Sequence, residues 1–107
     1  MDSNRITRAN VVYKFALRNK ISDDNIIVSW NFEASPDDLN FTELFAAVNK
    51  PLSSVIQFFH IDLEKFNLYN LHFVGYKYYR LFVKDSRGPK PGLSYFQLYS
   101  LDAIVNV

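Results

Sequence analysis

The chain has 107 residues, enough for one domain with a single hydrophobic core. Hydrophobic residues make up 49% of the sequence and aromatic residues 17%, which excludes an intrinsically disordered protein. The net charge of +1 excludes a strong global attraction to nucleic acid or anionic lipid. Because there is no cysteine, the protein has neither disulfides nor thiolate metal sites.

The sequence contains no apolar run of the roughly 20 residues that a membrane-spanning helix requires. Its N-terminal stretch MDSNRITRAN has no apolar segment of the kind found in cleavable signal peptides. We therefore expect a cytoplasmic protein, or one that leaves the cell within a larger particle such as a virion.

Residues 1–9 are polar and predict an N-terminal arm, which leaves residues 10–107 as one domain. Residues 10–18 alternate between two faces, as in a half-buried strand. The inward face carries Val11, Tyr13, Phe15 and Leu17, and the outward face carries Val12, Lys14, Ala16 and Arg18.

After a polar turn at residues 19–25, residues 26–34 alternate again and predict the central core strand. Its inward residues are Ile26, Val28, Trp30, Phe32 and Ala34, and its outward residues are Ser29, Asn31 and Glu33. Trp30 is the only tryptophan, and its place in this pattern predicts core packing rather than an exposed stacking platform.

Residues 35–40, SPDDLN, predict a turn from their composition. The carboxylate pairs Asp23–Asp24 and Asp37–Asp38 are interpreted as turn residues rather than as calcium ligands. Residues 41–48, FTELFAAV, fit either a short helix or a strand.

Residues 55–63 predict a strand whose apolar residues change face near Phe58 and Phe59, which indicates a bulge. Residues 64–74 are irregular, with one short strand predicted at residues 71–74.

Residues 75–101 contain two strand-like runs that predict a closing β-hairpin. In the first run one face carries Tyr79, Leu81 and Val83, and the other carries Tyr78, Arg80, Phe82 and Lys84. The segment between the runs, DSRGPKPG, contains Gly and Pro residues that exclude both helix and continued strand. It predicts a stiff, cationic loop that is longer than a two-residue turn.

This C-terminal sequence, YKYYRLFVKDSRGPKPGLSYFQLYSL, resembles the last two strands of the discoidin, or coagulation-factor C-type, domain. That family and its galactose-binding-like relatives end in a Tyr-Arg-Leu strand, a Gly/Pro/Asn loop and an aliphatic-aromatic strand. Residues 29–44, SWNFEASPDDLNFTEL, are similar to a second family motif that runs from Ser-Trp through Asp, Asn and an aromatic residue to Thr and Leu. The resemblance covers residues 9–101 and corresponds to the C-terminal two thirds of the family's domain.

The resemblance implies an all-β, galactose-binding-like jelly-roll β-sandwich that is truncated at its N-terminus. It favours a short strand at residues 41–45. The missing strands often carry the family's calcium ligands, so we predict no metal site and no cofactor. The family's usual Gly after the first Asp of the turn is Asp38 here. A sheet edge left open by missing strands predicts a partner chain or a symmetry mate.

A basic cluster lies near the C-terminus, with Asp85 as its one acidic residue. It comprises Lys77, Arg80, Lys84, Arg87 and Lys90. One interpretation is a solvated face around a structural hairpin, and the other is contact with an anion, a sugar or a protein. The candidate ligand-binding residues are Tyr78, Arg80, Arg87, Lys90 and Tyr95. In sugar-binding relatives the loop between the last two strands reaches the ligand, which supports Arg87 and Lys90, although Pro89 and Pro91 stand where an aromatic residue would be expected.

Nothing in the sequence indicates an enzyme. Hydrolysis would require a nucleophile beside a base, or two facing carboxylates, and neither pattern is present. The two histidines, His60 and His72, are interpreted as exposed or hydrogen-bonded strand residues rather than as metal ligands.

Two functions are therefore expected. The first is a non-catalytic binding or adhesion module that resembles carbohydrate-binding discoidin domains and forms part of a larger assembly. The second is a structural subunit of a homo- or hetero-oligomer that uses the sandwich for protein–protein contacts and binds no sugar. Phe58 and Phe82 fall on outward faces and are the candidate interface residues. No nucleic-acid partner is expected.

Overall fold

The computed structural model describes residues 8–21, 24–66 and 76–104. These residues form strands, turns and irregular segments and contain no helix, so the predicted all-β class is confirmed. The strands are β1 (Arg8–Asn19), β2 (Ile26–Ser35), β3 (Thr42–Ala47), β4 (Gln57–His60), β5 (Tyr78–Arg87) and β6 (Leu93–Ile104).

The strands form two antiparallel sheets of three strands each. Sheet A has the order β4-β1-β6, and sheet B has the order β3-β2-β5. Long alternating strands bury one face of each sheet, so the two sheets pack face to face around a shared core. Within the described residues no further strand pairs with the outer edges of β3, β4, β5 or β6.

The core between the sheets consists mainly of aromatic rings. Phe15 of β1 stacks on Phe32 of β2 with ring centroids 4.1 Å apart, and it meets Trp30 edge to face at 5.9 Å. Phe45 of β3 and Phe59 of β4 extend this cluster, with centroids 5.4 Å apart. Trp30 is 0% exposed, which confirms its predicted core position.

A bulge in β1 changes which of its residues face the core. The pairing of β1 with β6 shifts between Val12 and Lys14. Val12, predicted to point outward, is therefore buried together with Val11, whereas Tyr13 is only partly buried. An extra residue on one strand of a pair reverses the faces beyond it, and the period-2 pattern alone does not reveal where that happens.

A second irregularity has the same effect in β2. The pairing of β2 with β5 shifts between Ile27 and Trp30, so Ile27 joins the core cluster. Regular alternation predicts Ile26 and Val28 there instead; Val28 is buried as well, but Ile26 is only partly buried. In the second half of β2 the core residues Trp30, Phe32 and Ala34 alternate as predicted, but Asn31, which was predicted to face outward, is also buried.

The predicted hairpin of β5 and β6 does not form. β5 pairs with β2 in sheet B, and β6 pairs with β1 in sheet A, so residues 88–92 carry the chain from one sheet to the other. Pro89 and Pro91 have no N–H group to donate to a hairpin ladder, and Gly88 adopts a φ of 81°. The loop was predicted at residues 85–92, but β5 continues to Arg87, and the shorter loop at residues 88–92 joins two sheets rather than two neighbouring strands.

This crossing lies against the crossing from β1 to β2 at residues 20–25. The Lys20 N–H donates to the Gly92 carbonyl at 3.0 Å, and the Lys90 N–H donates to Asn25 Oδ1 at 2.8 Å. The two connections therefore satisfy each other's backbone groups at one end of the molecule.

Asn19 holds the end of β1 at the start of this crossing. It is 2% exposed, and its Nδ2 donates to the carbonyls of Lys20 and Asn25 at 2.9 and 2.8 Å. Its Oδ1 accepts from the Ile27 N–H at 3.0 Å. A buried amide with both ends satisfied fixes the path of the chain between the sheets.

The predicted turn between β2 and β3 is confirmed. The Asp37 carboxylate accepts hydrogen bonds from the turn's backbone, and Asp38 follows with a φ of 63°. That left-handed conformation favours glycine, which is the residue that the discoidin-like pattern has here. The ambiguous segment after the turn is a strand, Thr42–Ala47.

β4 is shorter than the strand predicted at residues 55–63. It covers Gln57–His60 and pairs with β1 in a regular register, so the predicted bulge at Phe58 and Phe59 is wrong. Phe59 packs against the core and Phe58 points outward by simple alternation. The strand predicted at residues 71–74 lies outside the described residues.

Candidate functional site

The outer face of sheet A carries aromatic rings and cations from all three of its strands. Because Phe15 and Leu17 are buried, the alternate residues Lys14, Ala16 and Arg18 lie on the outer side of β1. The register places His60 and Tyr99 beside Lys14, Phe58 and Gln97 beside Ala16, and Tyr95 beside Arg18. We define the cationic–aromatic face as Lys14, Arg18, Phe58, Tyr95 and Tyr99.

Lys14 lies between rings from both neighbouring strands. Its Nζ is 4.6 Å from the ring centroid of Tyr99 and 5.2 Å from that of Phe58. These are cation–π distances, which stabilise the ammonium group without neutralising it. Lys14 makes no ion pair or hydrogen bond through its side chain with any described residue, so its N–H donors are available to a ligand.

Tyr95 and Tyr99 lie along the surface of the sheet. Interaction with the Tyr99 side chain is the main cause of a raised pKa of Tyr95, and desolvation adds to it. Both side chains are partly exposed on this surface.

Arg18 is fixed at one end of this face. Its Nε donates to the Ser94 hydroxyl at 2.8 Å, and its guanidinium carbon lies 6.0 Å from the Tyr95 ring centroid. The Ser94 hydroxyl in turn lies 3.1 Å from the Asn19 carbonyl oxygen, to which it donates. Since an arginine has five N–H donors, this arrangement orients Arg18 and leaves donors for a ligand.

Within the described strands, the cations of this face have no acidic partner. No Asp or Glu occurs among the described side chains of β1, β4 and β6. Ala16 at the centre is fully buried by its larger neighbours, which leaves no deep cleft there. The result is a shallow surface of exposed ring area with a cation toward each end.

The outer face of sheet B differs because its central cation is paired. Arg80 Nε donates to Glu33 Oε1 at 2.7 Å, and the guanidinium stacks on Phe41 with 3.7 Å between its carbon and the ring centroid. Phe82 lies next to Arg80 on the same face, 5.3 Å from the guanidinium. Arg80 is thus engaged within the protein on two sides.

Asn31 adds one unsatisfied group beneath this second face. It is 7% exposed, and its Nδ2 lies 3.4 Å from Glu33 Oε2, to which it donates. Its Oδ1 is buried without a hydrogen-bond partner among the described residues. Phe82 and Ala46 flank Asn31 on the neighbouring strands and cover it from both sides.

The structure separates the five ligand-binding residues predicted from the sequence into three places. Tyr78 and Arg80 lie on the outer face of sheet B, where both are exposed. Arg87 and Lys90 lie at the crossing from β5 to β6, and Arg87 is about 23 Å along the strand from Arg80. Tyr95 lies on the cationic–aromatic face of the other sheet.

Sequence reasoning did not select Lys14, Arg18 or Tyr99. The alternation of β1 correctly places the two cations outward, but it does not say which strands flank β1. The ring that lies beside each cation comes from β6, about eighty residues further along the chain. Only strand pairing brings these residues together.

The two predicted interface residues are both exposed, as expected from their alternation. Phe58 is 54% exposed on sheet A, and Phe82 is 47% exposed on sheet B. They lie on opposite outer faces, so they cannot belong to one continuous patch. Their role in an interface stays a prediction.

His60 is exposed on the edge strand β4 beside Lys14, in agreement with its interpretation as a strand residue. His72 lies outside the described residues. Among the residues that the structure describes, no three His, Asp or Glu side chains come together as a metal site would require.

A cavity of about 460 Å³ opens between the sheets near the start of β5. It is lined by Val12, Tyr76, Lys77, Tyr79, Leu98 and Ser100. Burial raises the pKa of Tyr79 to about 12, and the nearby Tyr76 adds to this effect. The residue directly before Tyr76 lies outside the described part of the chain, so we assign the cavity no ligand.

Comparison of the chain with protein-family models, with curated proteins and with solved structures gives no match. The resemblance to the discoidin family therefore stays a prediction that depends on sequence motifs. Within the described ranges no helix is long and apolar enough to cross a membrane.

Proposed function

We propose that the chain is a non-catalytic carbohydrate-binding module whose ligand lies on the cationic–aromatic face of sheet A. The observation that carries this proposal is the exposed ring of Phe58 and the partly exposed rings of Tyr95 and Tyr99 beside Lys14 and Arg18. Aromatic faces pack against the C–H groups of sugar rings, while lysine and arginine donate to sugar hydroxyls. A shallow face suits such a ligand because a saccharide is flat and its hydroxyls point outward.

The strand order supports a jelly roll of the galactose-binding-like type. β1 pairs with β6 and β2 pairs with β5, so the pairings are nested as in a long hairpin that is rolled up. Every connection between consecutive described strands crosses to the other sheet, except the one from β2 to β3.

The proposal is tested by glycan-array binding of the purified protein and of its Phe58→Ala and Tyr99→Ala variants. We expect selective glycan binding that falls at least about tenfold in both variants, because each removes a stacking ring. Phe82→Ala is the matched control, since it removes an exposed ring from the opposite face. Thermal unfolding of each variant checks that the fold is unchanged.

No glycan binding above background would overturn the proposal. Binding that survives Phe58→Ala and Tyr99→Ala but is lost in Arg80→Ala would move the site to sheet B. Either result is informative because these side chains are partly exposed and their truncation leaves the core intact.

A structural subunit is the second candidate function. It is favoured by the exposure of Phe58 and Phe82 on both outer faces and by the unpaired edges of the outer strands. Light scattering of the protein from its native source distinguishes the two. A stoichiometric complex that dissociates when Phe58 or Phe82 is replaced by Asp would favour the subunit, and a monomer would favour the binding module.

A further inference from the structure

We infer that the cationic–aromatic face binds a saccharide that carries an anionic group, a carboxylate or a sulfate, with Lys14 as the main anion-binding residue. This inference rests on the proposed carbohydrate-binding function and deepens it. It goes beyond that function because neutral sugars bind aromatic platforms without a cation.

Within the described part of sheet A, Lys14 and Arg18 have no acidic partner. The described side chains of sheet A include Lys14 and Arg18 but no Asp or Glu. Sheet B shows the opposite arrangement, in which Arg80 is bonded to Glu33 at 2.7 Å. An unpaired cation on a surface of low polarity is complementary to an anion, since a charge-assisted hydrogen bond is stronger there than in bulk water.

The ammonium group of Lys14 also lies close to the proposed aromatic platform. Its Nζ is 4.6 Å from the ring centroid of Tyr99 and 5.2 Å from that of Phe58. A sugar ring on either platform therefore brings its substituents close to the ammonium group. Because the rings already restrict the lysine side chain, less rotamer entropy is lost when it binds an anion.

The length of the face also suits a short oligosaccharide. Lys14 and Arg18 are four residues apart on β1, which corresponds to about 13 Å. A short oligosaccharide spans this distance with its rings over the aromatic platform. Arg18, held by Ser94, then meets the far end of such a ligand.

The small number of cations on this face favours a saccharide over single-stranded nucleic acid, the other polymer that binds exposed rings and cations. Nucleic acid carries one phosphate per nucleotide, and proteins that bind it make several phosphate contacts. This face offers two cations, and the chain as a whole has a net charge of +1. Two cations suffice for a saccharide with one or two anionic groups.

The test is an array that presents the same lactose-type glycans in neutral, sialylated and sulfated forms, together with oligothymidylate. We expect the anionic forms to bind about tenfold more tightly than their neutral counterparts, with a preference that weakens at high salt. Lys14→Met keeps the packing of the stem but removes the charge, and it should lower the affinity for the anionic forms far more than for the neutral forms, so that the preference is lost. Lys14→Arg should retain the preference.

Lys84→Met is the matched control, because it removes an exposed cation from β5 of the other sheet. Equal binding of neutral and anionic forms would overturn the inference and leave the carbohydrate-binding function intact. Binding of no glycan would overturn both. A preference that persists in Lys14→Met would overturn the role of Lys14, and tighter binding of oligothymidylate would identify the face as a nucleic-acid site instead.

Discussion

At the residue scale, Asp37 stabilises the turn between β2 and β3 through its carboxylate. The carboxylate accepts hydrogen bonds from the Ser35 hydroxyl, the N–H groups of Leu39 and Asn40, and the Asn40 side-chain amide. These bonds favour the ionised form and lower the pKa of Asp37 well below its ordinary value, with the Asn40 backbone N–H as the largest cause. One side chain thus satisfies most of the polar groups of the turn.

The lowered pKa predicts a pH-dependent effect of Asp37→Asn. The folded protein binds this proton more weakly than the unfolded chain, so the carboxylate stabilises the fold above the unfolded pKa near 4. This contribution is lost as the pH falls below that value. We therefore expect Asp37→Asn to lower the melting temperature at pH 7, by an amount that narrows steadily below about pH 4.

Asp38→Asn is the control for this measurement, because it removes the same charge from the neighbouring residue. The Asp38 side chain accepts no hydrogen bond from the described residues, and Asn tolerates its left-handed backbone. Its melting temperature should stay close to that of the wild type. Equal losses in the two variants at pH 7 would show that charge, rather than the hydrogen bonds of Asp37, matters in this turn.

At the element scale, the two connections that cross between the sheets depend on close backbone contact. Residues 88–92 contact Lys20, Asp24 and Asn25, and Gly88 lies close to the Asp24 backbone. A Cβ on Gly88 would overlap the carbonyl oxygen of Asp24, and the φ of 81° is itself unfavourable for other residues. By contrast, a Cβ on Gly92 would meet Lys20 Cδ at 3.6 Å, an ordinary contact distance.

This difference predicts opposite outcomes for two alanine substitutions in one loop. Gly88→Ala should reduce the free energy of unfolding by about 2 kcal/mol or more, because both the backbone strain and the overlap must be relieved. Gly92→Ala should change it by less than about 0.5 kcal/mol. Denaturant unfolding measures both values, and similar values for the two variants would contradict the docking of the two crossings.

At the scale of the whole molecule, the aromatic cluster joins the two sheets into one cooperative unit. Trp30 of sheet B contacts Phe15 and Phe59 of sheet A, with ring centroids 5.9 and 5.0 Å apart. Four of the five connections between strands also cross between the sheets, so neither sheet is a continuous segment of the chain. Unfolding of one sheet therefore exposes the core of the other.

Trp30→Ala tests this cooperativity. Removing the fully buried ring should lower the free energy of unfolding by about 3–5 kcal/mol. The unfolding midpoints measured by a secondary-structure probe and by a tertiary-structure probe should fall together. Tyr78→Ala is the control, because Tyr78 is an exposed ring on an outer face and should cost under about 1 kcal/mol. An unshifted Trp30→Ala midpoint would contradict the core position, and separate midpoints for the two probes would contradict the single unit.

The candidate site also belongs to this scale, because it is assembled from distant segments. Lys14, Phe58 and Tyr99 come from three strands that are neighbours only in sheet A. The pattern of β1 predicts that Lys14 is exposed, and the pattern of β4 predicts the same of Phe58. Neither pattern predicts that the ammonium of one lies 5.2 Å from the ring of the other.

The sequence by itself determined the all-β class, the approximate positions of the strands and the core placement of Trp30. It did so because side-chain alternation is a local property of a pleated strand, and because Gly and Pro interrupt strands wherever they occur. The turn at Asp37 follows from the same kind of local chemistry.

Only the tertiary structure decided which strands pair. Alternation predicts the two faces of a strand but not its partner. The sequence pattern of β5 and β6 therefore favoured a hairpin. In the structure the loop at Gly88 instead contacts the connection from β1 to β2 and carries the chain from one sheet to the other. Bulges in β1 and β2 likewise moved Val12 and Ile27 into the core, because one extra residue reverses a face without any change in composition. The cationic–aromatic face is a consequence of that pairing, because hydrogen bonds between strands join residues that are far apart in the sequence.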